Sequence, residues 1–294
     1  MEDNNKKLPS TSINWFPGHM SKTRKQIIDD LKLIDVVIEI LDARIPISSR
    51  NPDIEHFIEN KKKIFVLNKA DLADSNVTNK WIQGFKKQGI IAVPVEANSG
   101  KGIKDVVAEV KKQYAEQEEK FAQKGRIGRK AKAMIIGIPN VGKSTFINSL
   151  VGKSKTKVGN RPGVTVEKQW ITIDSDVELL DTPGMLWPKL DDKGVSLHLA
   201  YINSIGQNAV DNEEIAYFLL KYLVENYKKN VETRYEIEIG DYDEIIDIRD
   251  TIARKKGCIL SGGRINEQKI SDMILNDFRS GKLGRISLEI PENK

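Results

Sequence analysis

The chain has 294 residues, 39% hydrophobic and 30% charged, with a formal net charge of +5. That length accommodates two domains with a sizeable core, and the single cysteine, Cys258, excludes an internal disulfide framework and fits a reducing cytosol. No apolar run approaches the roughly 20 residues of a membrane span and residues 1–10 lack the apolar core of a signal peptide, so the expectation is a cytoplasmic protein with no membrane association, whose mild basicity admits nucleic acid as a partner.

In chain order, a polar start leads into the aromatic and turn-forming cluster Trp15-Phe16-Pro17-Gly18-His19-Met20. Helical spacing follows over Ser21 to Leu33, with Ile27, Ile28 and Leu31 on one face. Short apolar runs at Asp35 to Leu41, Ile64 to Leu67 and Ile90 to Val95 read as buried strands, with a helix over Val77 to Gln88. A helix from Gly102 to about Gln123 runs into a linker, Lys120 to Lys132, which carries six positive charges, no negative one and two glycines. Ala133 to Ile138 is the next strand and Thr145 to Val151 the next helix. Gln169 to Ile173 and Val177 to Leu180 suggest a hairpin around Asp174-Ser175-Asp176. Beyond Pro188 the alternation stops, and Asn212 to Tyr227, Asp243 to Arg254 and Ile265 to Phe278 are helical candidates. The pattern predicts an α/β domain over 1–188 and an all-helical C-terminal domain over 189–294.

Gly137-Ile138-Pro139-Asn140-Val141-Gly142-Lys143-Ser144 lies between an apolar strand and a helix, the context a phosphate-binding loop requires. Glycines let successive backbone N–H groups turn toward phosphates, and the helix N-terminus adds partial positive charge. Asn140, Val141, Gly142, Lys143, Ser144 and Thr145 are therefore the predicted phosphate-binding set. Lys143 is expected to bridge the β- and γ-phosphates and Ser144 to hold Mg²⁺. Asp181-Thr182-Pro183-Gly184 ends the following strand. Its aspartate suits Mg²⁺ through water, and the Gly184 N–H suits the γ-phosphate. Thr165, in Arg161-Pro162-Gly163-Val164-Thr165, is expected to close on Mg²⁺ and the γ-phosphate when GTP is bound.

Asn68-Lys69-Ala70-Asp71 supplies the base choice. Guanine offers two adjacent donors, N1–H and the 2-amino group, that the Asp71 carboxylate can accept together. Adenine lacks that pair and would leave a desolvated carboxylate unmatched. Asn68 is expected to read the 6-oxo side and tie this loop to the phosphate loop, while the Lys69 stem covers the base. Glu96-Ala97-Asn98 ends the next strand, where a backbone contact to the base is expected; Glu96 stands where the familiar motif has serine. The base-reading loop precedes the phosphate loop, the reverse of an ordinary GTPase, and the reversal points to circular permutation.

These residues resemble the circularly permuted GTPases of the YlqF/YawG group. The resemblance rests on Trp15 to Met20, Asp42-Ala43-Arg44-Ile45-Pro46, Asn68 to Asp71, Gly137 to Ser144 and Asp181 to Gly184, and spans roughly residues 13 to 190. It implies a permuted Ras-like P-loop GTPase domain followed by a helical RNA-contacting domain. It also implies GTP hydrolysis during late maturation of the large (50S) ribosomal subunit, with the precursor particle, its rRNA and its ribosomal proteins, as partner. The protein itself is expected to be a monomer.

Many GTPases carry a water-orienting glutamine directly after Asp-x-x-Gly; here that position is Met185, and a thioether cannot orient water. A slow GTPase is expected, completed by one of three agents. His19 has the chemistry to polarise a water. A K⁺ ion could be held by the Asn140 amide oxygen, as in potassium-activated GTPases sharing a Pro-Asn-x-Gly-Lys-Ser loop. The ribosomal particle could supply a group or order the switches. Basic clusters at 120–132, at Lys153, Lys155, Lys157 and Arg161, at Lys61-Lys62-Lys63 and at Arg254-Lys255-Lys256 are candidate RNA contacts. The competing reading is a nucleotide-gated RNA- or protein-binding switch with little need for hydrolysis; a tRNA-modification GTPase is disfavoured by the permuted order.

Overall fold

A computed structural model describes residues 19–123, 125, 128–152, 170–173, 175–187, 190, 192–205 and 210–291, with backbone alone for 19–23. Its strands are β1 (Val36–Asp42), β2 (Lys62–Asn68), β3 (Ile91–Val95), β4 (Ala131–Ile136), β5 (Trp170–Thr172) and β6 (Val177–Asp181). They form one sheet in the order β3-β2-β1-β4-β6-β5, parallel throughout except where β5 runs against β6. Every residue of β1 is buried, which explains why its sequence is nearly continuous in apolar residues: a parallel sheet is covered on both faces. The register sets Asp42 beside Asn68, Asn68 beside Val95 and Ile135 beside Asp181, so the loops carrying the motifs leave one edge of the sheet. That edge, outside the carboxyl ends of the strands, is where open α/β sheets bind ligands.

The permutation is visible in the connections. Edge strand β3 is joined to central strand β4 by α4 (Ile103–Ala122) and the basic linker, which together cross β2 and β1. Asp35 anchors the return: its carboxylate accepts the Lys132 N–H at 2.9 Å and Gln117 Nε2 at 3.1 Å, and it pairs with the Arg129 guanidinium at 3.1 Å. Arg129 also lies 4.5 Å over the Phe121 ring, Lys130 pairs with Glu178 at 3.3 Å, and Lys132 Nζ lies 4.8 Å over the Trp170 ring. Three of the linker charges read as RNA contacts are thus engaged within the protein. β4 begins at Ala131 rather than Ala133 because Ala131 and Lys132 pair with Val177 and Glu178, a partnership the apolar run does not reveal.

The remaining helices of this part are α1 (His19–Leu31), α2 (Pro52–Ile58), α3 (Ser75–Lys87) and α5 (Lys143–Val151). Asp74 caps α3, accepting from the N–H groups of Asn76 and Val77, and Asn51 caps α2. α2 escaped the sequence pattern because its seven residues complete barely two turns.

Two compact units divide the chain: Phe16–Trp187 with Ser287–Lys294, and a second containing Pro188–Ile286. The last residues therefore belong with the sheet, not with the helices that precede them. The second unit contains α6 (Lys193–Tyr201), α7 (Asn212–Tyr235), α8 (Ile245–Lys255) and α9 (Glu267–Arg279). Leu219, Leu223, Val231, Ile252, Ile274 and Phe278 build its core. α7 extends past Tyr227, where φ −138° and ψ 37° break the helical geometry, and the change of phase there explains why the apolar stripe fades. Arg234 pairs with buried Asp277 at 2.8 Å, and Arg279 donates to the carbonyls of Tyr201 and Ala200 at the end of α6.

Candidate nucleotide-binding site

β4 delivers the chain into the phosphate loop. A Cβ at Gly137 would lie 2.6 Å from the Ile40 carbonyl oxygen, and one at Gly142 would lie 2.4 Å from Asn68 Nδ2, so both positions require glycine. Gly142 also takes φ 96°, in the left-handed region, as it caps α5. Lys143 Nζ donates to the carbonyls of Gly137 at 3.0 Å and Ile138 at 2.8 Å. Burial lowers its pKa to about 8, while the Asp181 carboxylate pulls the other way. Desolvation likewise raises the Asp181 carboxyl above its ordinary value, against the Lys143 ammonium. Ser144 is exposed at the first turn of α5 and Thr145 is partly exposed beside it.

Gly184 closes the site from the end of β6: a Cβ there would stand 2.8 Å from Lys143 Nζ. Thr182 donates to the Ile135 carbonyl at 2.7 Å, which pins that strand end. Met185 is buried, its carbonyl accepting from Asn51 Nδ2 at 2.9 Å, and Leu186 is buried behind it. The residue after Asp-x-x-Gly is thus a core side chain. His19 opens α1, but its side chain, like Thr165 and the cluster Lys153, Lys155, Lys157 and Arg161, lies outside the described residues.

The base-reading loop meets the phosphate loop directly. Buried Asn68 donates from Nδ2 to the Val141 carbonyl at 2.8 Å and accepts the Ala97 N–H on Oδ1 at 3.3 Å. Lys69, at φ 58°, donates from Nζ to the Asn140 carbonyl at 2.7 Å. The Ala70 N–H donates to the Val95 carbonyl at 3.1 Å, and Ser149 Oγ donates to the Ala97 carbonyl. Asn68 and Lys69, Ala97, and Asn140 and Val141, from three parts of the sequence, are therefore one hydrogen-bonded cluster. Asp71 is half-buried, and its carboxylate has no hydrogen-bond or ion-pair partner among the described residues. Glu96 is turned to Lys101, which it pairs with at 2.7 Å, and Asn98 is exposed.

Comparison with known proteins agrees with this architecture. The family described as "50S ribosome-binding GTPase" matches residues 132–252. Ribosome biogenesis GTPase A of Bacillus cereus is 44% identical over 281 residues, covering 95% of this chain and 94% of its own. The chain belongs to the ribosome biogenesis GTPase A family. The Thermotoga maritima relative of that name is 31% identical, covering 96% of this chain and 95% of its own. Among solved structures, GDP-bound TM YlqF superposes with a TM-score of 0.67 at 28% identity, covering 91% of this chain and all of that one. GNP-bound YlqF from T. maritima gives a TM-score of 0.64 at 28% identity, covering 93% of this chain and all of that one. The chain is a GTPase with a circularly permuted α/β domain.

Sequence reasoning about this GTPase missed the support under the base-reading loop. Asp42, fully buried at the end of β1, receives Arg44 Nε and Nη2 at 2.9 Å each and lies 3.0 Å from Lys69 Nζ. Burial would raise its carboxyl, but Arg44 and then Lys69 hold it well below the usual carboxylate range. An aspartate closing a nearly apolar strand was the available signal, because its buried charge demands a cation.

Proposed function

We propose that this GTPase binds GTP with Mg²⁺ at the motif edge and acts in the cytoplasm, as a monomer, in late maturation of the large ribosomal subunit. The observation that carries the nucleotide reading is the bonding of Asn68 and Lys69 to the carbonyls of Val141 and Asn140. It joins a base-selecting loop to a phosphate-selecting loop. Asp71 would accept from guanine N1–H and the 2-amino group, Lys69 would cover the base, Asn68 would read the 6-oxo side, and the backbone of Glu96-Ala97-Asn98 would make a further contact to the base. The loop amides from Asn140 to Thr145 would bind the phosphates. Without a Cβ, Gly142 packs against Asn68 Nδ2 and Gly184 against Lys143 Nζ, which supports a phosphate loop held close to its lysine. Ser144, Thr165 and, through water, Asp181 would hold Mg²⁺, which neutralises charge on the β- and γ-oxygens.

In hydrolysis, water attacks the γ-phosphorus, its O–P bond forming as the bond to the β–γ bridging oxygen breaks. GDP leaves, and the proton from water ends on the phosphate released. Lys143 would stabilise charge growing on the bridging side. With Met185 buried, completion of the site is assigned to His19, which would polarise the water, to K⁺ held at Asn140, which would supply positive charge as the β–γ bond breaks, or to the particle, which would supply a group or order the switches. The relatives' names support a role on pre-ribosomes, and the helical unit is assigned the contact with rRNA or ribosomal protein. Turnover measured alone and with large subunits tests this: strong stimulation is expected, and turnover indifferent to the particle favours the nucleotide-gated switch. Loss of stimulation in His19→Ala, or faster turnover in KCl than in NaCl, separates the three completions.

A further inference from the structure

The chain leaves the sheet-containing unit after Trp187 and returns to it at Ser287. The returning residues are densely hydrogen-bonded. The N–H groups of Leu288 and Glu289 donate to the Arg44 carbonyl at 2.9 and 3.3 Å. The Glu289 carboxylate accepts the N–H of Ile47 at 2.6 Å, the N–H of Ser48 at 2.8 Å and the Ser48 hydroxyl. On the other side, Ser287 Oγ accepts the Asp74 N–H at 3.1 Å, and Trp81 Nε1 donates to the Glu289 carbonyl at 3.0 Å. Ser287 and Leu288 are buried. The segment thus bridges the loop after β1 and the loop after β2. The first contains Arg44, the partner of Asp42 at the end of β1, whose carboxylate receives Lys69; the second is the continuation of Asn68–Asp71.

We propose that Ser287–Glu289 is a positioning strap for guanine recognition. It fixes from outside the two loops whose spacing sets Lys69 and Asp71, so that base affinity and base choice depend on residues no nucleotide motif contains. This rests on the reading of Asn68–Asp71 as the guanine site. The physical basis is preorganisation: a carboxylate must meet two donors at once, and a loop free to shift would lose the second bond before the first. Ser287 directly follows Ile286, the last residue of the helical unit, so the strap is also that unit's covalent return to the base-reading side.

The test compares GDP with inosine diphosphate, which lacks the 2-amino donor. Release of each is measured from the full chain, Glu289→Ala, Glu289→Gln, Ser287→Ala and a chain ending at Ile286. Glu289→Ala and the shortened chain are expected to release GDP about tenfold faster, as loss of charge-assisted bonds would give. Their preference for GDP over inosine diphosphate should shrink, whereas a general loosening would speed both releases alike. Glu289→Gln, which retains one acceptor, should fall between Glu289→Ala and the parent. Should Glu289→Ala unfold at the assay temperature, Ser287→Ala carries the same comparison with a smaller shift. A parent that prefers GDP alongside variants with unchanged preference overturns the strap alone. A parent that does not distinguish the two bases overturns the guanine reading and the strap with it.

Discussion

Lys69 and Lys143 stand on two loops bonded to one another, and their surroundings differ in kind. Lys69 Nζ ends on the Asp42 carboxylate and the Asn140 carbonyl, with Arg44 completing a buried cluster of opposite charges. Lys143 Nζ ends on two carbonyls, and burial holds its pKa at about 8. The base-reading half is complete in charge around Lys69, while its Asp71 carboxylate has no partner among the described residues. In the phosphate half the Asp181 carboxylate acts on Lys143 without offsetting its burial, so added negative charge would be felt there. One half holds its lysine in a buried ion pair, and the other leaves its lysine on carbonyls, responsive to added negative charge.

The largest expected effect tests the complete half. Asp42→Ala leaves Arg44 buried without its partner, and stability in urea unfolding should fall by about 3–5 kcal/mol. A loss under 1 kcal/mol would show that the cluster does not hold the loops. Glu39, on the same strand, is the contrasting case: buried, its Oε2 lacks a hydrogen-bond partner, and burial raises its pKa to about 7 against the pull of Arg50. A raised folded-state value means that its contribution to stability is fully present below the unfolded value near 4.5 and is lost as pH rises through about 7. Glu39→Gln should therefore stabilise the protein by about 3 kcal/mol at pH 8 and leave it nearly unchanged at pH 4. An equal effect at both pH values would remove titration as the cause.

Lys143 tests the responsive half. Phosphate binding raises the pKa of an ammonium, so binding takes up a proton wherever the free lysine is neutral. GTP affinity should be flat below pH 8 and weaken by up to about tenfold over the next pH unit, with the slope abolished in Lys143→Arg. Titrations with a fluorescent GTP analogue measure it, and a flat profile to pH 9.5 would sink it. The smallest effect concerns Asn51, which caps α2 and also holds the Met185 carbonyl. Asn51→Ala should lower stability by about 1–2 kcal/mol, read from thermal unfolding; no shift would mean that the segment after Gly184 is held elsewhere.

Much of this was legible because the decisive constraints are local. The strand–loop–helix context around Gly137–Ser144 and the apolar runs ending at Asn68 and Asp181 report the sheet and its functional edge directly, since each motif closes a buried strand. The charge clusters were less legible. Arg129, Lys130 and Lys132 read as a basic surface, yet they face Asp35, Glu178 and the Trp170 ring. Within Arg254-Lys255-Lys256, Lys256 likewise pairs with Glu236 at 3.1 Å. A run of like charges in sequence says nothing about the opposite charges that folding brings to it. α6, largely buried, was hidden for a related reason: without a polar face it has no helical period to detect.

The sequence by itself determined the family and the motif order: a glycine-rich loop ending in Lys143-Ser144, an Asn-Lys-x-Asp loop before it and an Asp-x-x-Gly after it, because each motif is carried within a few residues. Only the tertiary structure decided how the selecting loop is held. Asp42 finds Lys69 across a strand pair, Asn68 finds Val141 across the sheet's edge, and Glu289 finds Ile47 and Ser48 after the chain has passed through an entire helical unit. Those contacts join residues far apart in the chain, and their energies depend on burial and distance, quantities that exist only once the chain has folded.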